Sequence, residues 1–67
     1  MTTTDQPRFR IRQNGMTVAS SEGPNAEAMI WGYAFKYRPE GDLTIQFDAY
    51  GHWKRFAFLA KWDGDRP

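Results

Sequence analysis

A chain of 67 residues with a net charge of +1 has room for one domain, and nine Lys and Arg against eight Asp and Glu argue against a dedicated polyanion binder. It has no cysteine, which excludes disulfide staples and thiolate metal sites, and no apolar run approaches the ~18 residues that a spanning helix needs. So small a chain buries only about 60% of its unfolded surface, and the compensation is aromatic mass: three Trp, three Tyr and five Phe.

Residues 1–7 are polar, end in Pro7 and lack the basic and apolar regions of a signal peptide. They read as a flexible N-terminal tail ahead of a single domain over 8–62, and a cytoplasmic location is expected. Arg8 to Gln13 alternates, with Phe9 and Ile11 on one side and Arg8, Arg10 and Arg12 on the other, which is the pattern of a strand with one dry face. Asn14-Gly15 is a strong hairpin signal because both positions tolerate positive φ. The return strand is expected over Met16–Ser20, with Gln13 opposite Met16, Ile11 opposite Val18 and Phe9 opposite Ser20.

Ser21 to Asn25 breaks the pattern, with Pro24 suited to a first helical turn and Asn25 to an N-cap. Ala26 to Tyr37 then has a helical period with apolar residues on two sides. Ala26, Met29, Ile30, Tyr33, Ala34 and Tyr37 line one; Ala28, Trp31 and Phe35 line the other; Glu27, Lys36 and Arg38 flank them. Pro39 disfavours helical geometry in the residue before it, so the helix should stop near Tyr37 or Arg38. Leu43, Ile45 and Phe47 alternate with Thr44, Gln46 and Asp48, and Ala49 to His52 reads as a four-residue turn. A strand from Trp53 to about Trp62 returns, with Asp48 opposite Trp53, Gln46 opposite Arg55, Ile45 opposite Phe56 and Leu43 opposite Phe58. Residues 63–67 form a polar C-terminal end.

The expected fold is α+β: a four-stranded, mostly antiparallel sheet in hairpin–helix–hairpin order (ββαββ), with the helix on one face. The expected core is Phe9, Ile11, Val18, Met29, Ile30, Tyr33, Leu43, Ile45, Phe47, Phe56 and Phe58. The element order resembles that of the immunoglobulin-binding domains of streptococcal protein G, a likeness of topology that carries no function.

One sheet cannot cover two sides of one helix. The second stripe therefore reads as a partner-binding surface made of Trp31 and Phe35, with Glu27 and Arg38 as rim charges. Burial of these two rings under the chain itself, including under a folded-back Trp62, is the competing account. The other side of the sheet is expected to carry Arg10, Arg12, Thr17, Thr44, Gln46, Trp53, Arg55, Leu59 and Lys61. Of these, Arg10, Arg12, Trp53 and Arg55 could stack on bases and contact phosphates, giving an alternative single-stranded nucleic-acid binder. A homodimer that buries the second stripe is a further alternative.

Catalysis finds little support. His52 is the lone histidine, and Asp63-Gly64-Asp65 lacks the other ligands of a calcium loop. Ser20 and Ser21 have no activating context, Glu22, Glu27 and Glu40 are unpaired in the pattern, and no glycine-rich phosphate loop is present. No catalytic residue, cofactor, metal or membrane is expected.

The run from Asn25 to Tyr37 and then from Glu40 to Gln46 resembles small proteins of unknown function encoded by bacteriophages and prophages. The shared features are an Ala-Glu-Ala helix start, two tyrosines four apart, a glycine turn and an alternating strand ending in Gln, over about a third of the chain. The resemblance implies a compact accessory protein acting in the host cytoplasm, one that binds and inhibits a host protein complex. It carries over no functional residue.

Overall fold

A computed structural model describes residues 7–62. The expected polar end at 63–67 and all of the expected tail except Pro7 lie outside the described residues. The elements run β1 (Arg8–Gln13), β2 (Met16–Glu22), α1 (Ala26–Tyr37), a short 3-10 turn (Arg38–Glu40), β3 (Leu43–Ala49) and β4 (His52–Leu59). The four strands form one antiparallel sheet in the order β2-β1-β3-β4, with α1 on one side, so the α+β hairpin–helix–hairpin fold is the observed one. The two hairpins join through β1 and β3, with Phe9 opposite Phe47 and Ile11 opposite Ile45.

Both hairpins close with two-residue turns of positive φ: Asn14 and Gly15 (54° and 77°), then Tyr50 and Gly51 (56° and 87°). Paired positive φ values match the right-handed twist of the flanking strands. The second turn corrects the expected four-residue loop, because Ala49 and His52 pair with each other and belong to the strands. The Asp48 carboxylate accepts a 2.8 Å bond from the Gly51 amide and braces that tight turn.

Each hairpin also carries a bulge. Ile11 pairs with Ala19 and Arg12 with Thr17, skipping Val18; Ile45 pairs with Ala57 and Gln46 with Arg55, skipping Phe56. One extra residue reverses the facing of everything beyond it. Leu43 therefore meets Leu59 rather than Phe58, and Phe9 meets Ser21 rather than Ser20. Leu59, expected on the outer face, is buried on the helix side, while Phe58, expected in the core, is 54% exposed.

α1 packs chiefly on β1 and β2, less on β3, and leaves the helix side of β4 largely uncovered. Its buried line is Ala26, Ile30 and Ala34, four residues apart, with Tyr37 half-buried at its end. The alanines allow close approach to the sheet, and Met29 and Tyr33, expected in the core, are turned to its exposed flank. Ile11, Ile30, Leu43 and Ile45 are fully enclosed, each contributing about 1.5–3 kcal/mol of burial. Val18 and Phe47 are half-buried against this core.

Polar contacts fix the ends of the helix. The buried Ser21 hydroxyl donates 2.7 Å to the Ala26 carbonyl oxygen. Asn25 stands at the N-cap without a side-chain capping bond, and its carbonyl accepts the Met29 amide at 3.0 Å. At the other end the Gln13 side chain, 3% exposed, donates through Nε2 to the carbonyls of Tyr37 (2.9 Å) and Gly41 (3.0 Å). Pro39 enters the 3-10 turn, and the Gly41 amide donates to the Arg38 carbonyl at 3.3 Å.

Candidate protein-docking surface

The flank of α1 that looks towards β4 carries Glu27, Trp31, Phe35 and Arg38, spaced four, four and three residues apart, so their side chains follow one another along the helix. Trp31 is half-buried and packs against the core, while Phe35 is 54% exposed. Their rings lie 6.1 Å apart, centroid to centroid. The chain itself does not enclose this pair.

The residue skipped at the β4 bulge is a further member, one that the alternating pattern places inside the core. Phe56 is 39% exposed on the helix side, 6.2 Å from Trp31, 5.1 Å from Phe9 and 6.0 Å from Phe47. The contacts with Phe9 and Phe47 are edge-to-face, the favourable geometry for aromatic quadrupoles. Phe35, Trp31 and Phe56 thus form an open aromatic patch anchored in the core through Phe9 and Phe47. No local signal in the sequence reveals the bulge. The uncovered helix side of β4 follows from a strand order that pattern alone does not fix.

The back of α1 continues the patch. Ala28 and Gly32 are exposed one turn apart, beside Met29 and Tyr33, and a Cβ built on Gly32 meets nothing within 4 Å. Glycine in a helix interior costs roughly 0.5–1 kcal/mol relative to alanine, and no packing within the chain requires it here. Mid-helix glycine was a readable signal, unlike Phe56. Among the exposed residues of α1 only Glu27 and Lys36 are charged.

Arg38 is held in a tether at the chain's C-terminal side. Its Nε donates 2.9 Å to the Ala60 carbonyl, its guanidinium lies 5.0 Å from the Trp62 ring centroid, and its own carbonyl accepts the Trp62 amide at 3.3 Å. The Lys61 amide donates to Asp42 at 2.6 Å. Trp62 is therefore placed at Arg38, 56% exposed.

The opposite side of the sheet brings together Arg10, Arg12, Trp53 and Arg55, but most of these groups engage one another or their neighbours. Arg10 donates through Nε to Gln46 at 2.7 Å and stacks on Trp53 at 4.3 Å. Arg12 bonds Thr17 and the Gly15 carbonyl, at 2.8 and 2.9 Å. Arg8 reaches Asp48 at 2.8 Å, lies 4.0 Å from Glu22 and also sits over the Trp53 ring. Arg55 is exposed. A cavity of 520 Å³ borders this network, lined in part by Arg8, Arg10, Ser20, Glu22 and Trp53.

Among the described residues no group of three His, Cys, Asp or Glu side chains is placed to hold a metal ion, and no helix is long and apolar enough to cross a membrane. His52, Glu27 and Glu40 are exposed on separate elements, and Asp63 and Asp65 lie outside the described residues. The Ser21 hydroxyl is engaged by Ala26, and Ser20 is exposed on β2. The chain matches no protein-family model, no curated protein and no solved structure.

Proposed function

We propose that this protein is a non-enzymatic docking module that binds another protein through the aromatic patch of α1 and β4, with Trp31, Phe35 and Phe56 as anchors and Glu27 and Arg38 at the rim. The carrying observation is the exposure of Phe35 and Phe56 on either side of a core-packed Trp31. Large rings held rigidly at a surface supply contact area at little entropic cost, and such anchors dominate binding energy at interfaces. The resemblance of the central run to phage and prophage proteins makes a host protein complex the natural target and its inhibition the natural consequence. The reading of the Arg face as a nucleic-acid site draws less support, because Arg8, Arg10 and Arg12 already have partners within the chain.

The test is affinity capture from host lysate with three baits: wild type, Phe35→Asp and Arg55→Glu. A protein retained by wild type and Arg55→Glu but lost with Phe35→Asp supports docking through the patch. Retention that survives Phe35→Asp and disappears with Arg55→Glu or nuclease treatment transfers the function to the sheet's outer face.

A further inference from the structure

We propose that the outer side of the sheet holds a small monocarboxylate with a short apolar chain, gripped by Arg10 in the cavity beside Trp53. The site lies away from the aromatic docking patch and is independent of it. Three arginines of β1 stand on this side, and they differ in which nitrogens are committed. Arg12 uses both terminal nitrogens, Nη1 on Thr17 and Nη2 on the Gly15 carbonyl. Arg8 gives Nη1 to Asp48 and holds Nε 4.0 Å from Glu22. Arg10 donates through Nε alone, to Gln46 at 2.7 Å, so among the described residues its Nη1 and Nη2 have no protein acceptor. Gln46 and the Trp53 ring, 4.3 Å from the guanidinium carbon, hold the group in place. A fixed guanidinium with its terminal pair unused is a ready fork for the two oxygens of one carboxylate. Little side-chain freedom remains to be lost when it binds.

The 520 Å³ cavity lies beside this fork and is of the size that small-molecule sites have. It follows from a contrast between neighbouring strands: Ser20 stands opposite Arg10 and Thr17 opposite Arg12, so β2 puts short side chains where β1 puts long ones. The charges on its walls select the ligand. Arg8 is already matched by Asp48 and Glu22, which leaves Arg10 to be balanced by one negative charge. Glu22 also lines the cavity and opposes a second one, such as the further charge of phosphate. The lining includes Met29, 44% exposed, against which a short apolar chain can rest.

Titration of the full chain with sodium hexanoate at constant ionic strength, followed by proton–nitrogen NMR, tests the proposal. Wild type should saturate with a Kd of about 1–10 mM, and the Arg10 Nε–H, Ser20 amide and Trp53 indole signals should move together. Inorganic phosphate should bind about tenfold more weakly, and Glu22→Gln should narrow that gap. Arg10→Lys keeps the charge without the fork and should weaken hexanoate about tenfold, whereas Arg12→Lys should leave it unchanged. Ser20→Tyr fills the cavity with Arg10 intact and should give the same loss, with signals on the helix side of the sheet unmoved. Shifts that rise linearly without saturating overturn the site, as does wild-type affinity in Arg10→Lys or in Ser20→Tyr. Phosphate that binds as tightly as hexanoate overturns the monocarboxylate assignment.

Discussion

Tyr50 and Asn14 occupy equivalent positions in the two hairpin turns, at φ 56° and 54°. Asparagine visits this left-handed region readily, whereas a tyrosine there crowds its Cβ against the following carbonyl. The Tyr50 side chain is 100% exposed, so no burial offsets that cost. Tyr50→Asn should stabilise the protein by about 1 kcal/mol, raising the thermal midpoint by roughly 4–8 °C; an unchanged or lowered midpoint in thermal melts would contradict this account of the turn. Gln13 has the reverse character, a buried polar side chain whose amide satisfies two carbonyls at the end of α1. Gln13→Leu keeps comparable bulk but leaves Tyr37 and Gly41 without that donor, and should cost about 2–3 kcal/mol in urea unfolding. A loss below about 0.5 kcal/mol, the usual range for surface changes, would mean that these bonds are replaced by water without penalty.

At the scale of elements, what the sequence made legible was local. Arg8–Gln13 and Ala26–Tyr37 appear with their expected bounds, because strict alternation and helical period are written within each segment. Asn14-Gly15 fixed its own hairpin for the same reason. The bulges at Val18 and Phe56 were not legible, since an unpaired residue is favoured or rejected by neighbours on other strands. Phe56 stays on the helix side against Phe9 and Phe47, and Ala57 and Leu59 take the inward places beyond it. That one shift moved Phe58 out of the expected core. Two substitutions on β4 report the register directly. Leu59→Ala should cost about 2–5 kcal/mol and Phe58→Thr less than about 0.5 kcal/mol, and chemical denaturation giving the opposite ranking would restore the unbulged pairing.

For the molecule as a whole, two surfaces competed for a functional role, and composition alone could not rank them. Trp31 and Phe35 were legible as a second helical stripe, but whether anything covered them depended on where α1 sat across the sheet. Placement over β1 and β2 is a tertiary outcome, and it left Phe35 and Phe56 in the open. The Arg face was legible as a row of charges, while its internal bonding to Gln46, Thr17 and Asp48 was not. Those bonds predict that mixed-sequence single-stranded oligonucleotides will show no saturable binding near 0.15 M salt. Binding that strengthens steeply as salt falls, read by fluorescence anisotropy, would instead mean that the guanidinium groups exchange their internal partners for phosphates.

Strand order also sets how the chain would bear a mechanical load. β1 and β4 run in the same direction, separated by β3, so Pro7 and Leu59 lie towards opposite ends of the sheet. Tension applied through these two ends pulls the strands past one another along their length. The hydrogen bonds between β1 and β3 would then be strained together rather than peeled away singly, which makes the junction of the two hairpins the seam that yields as a unit.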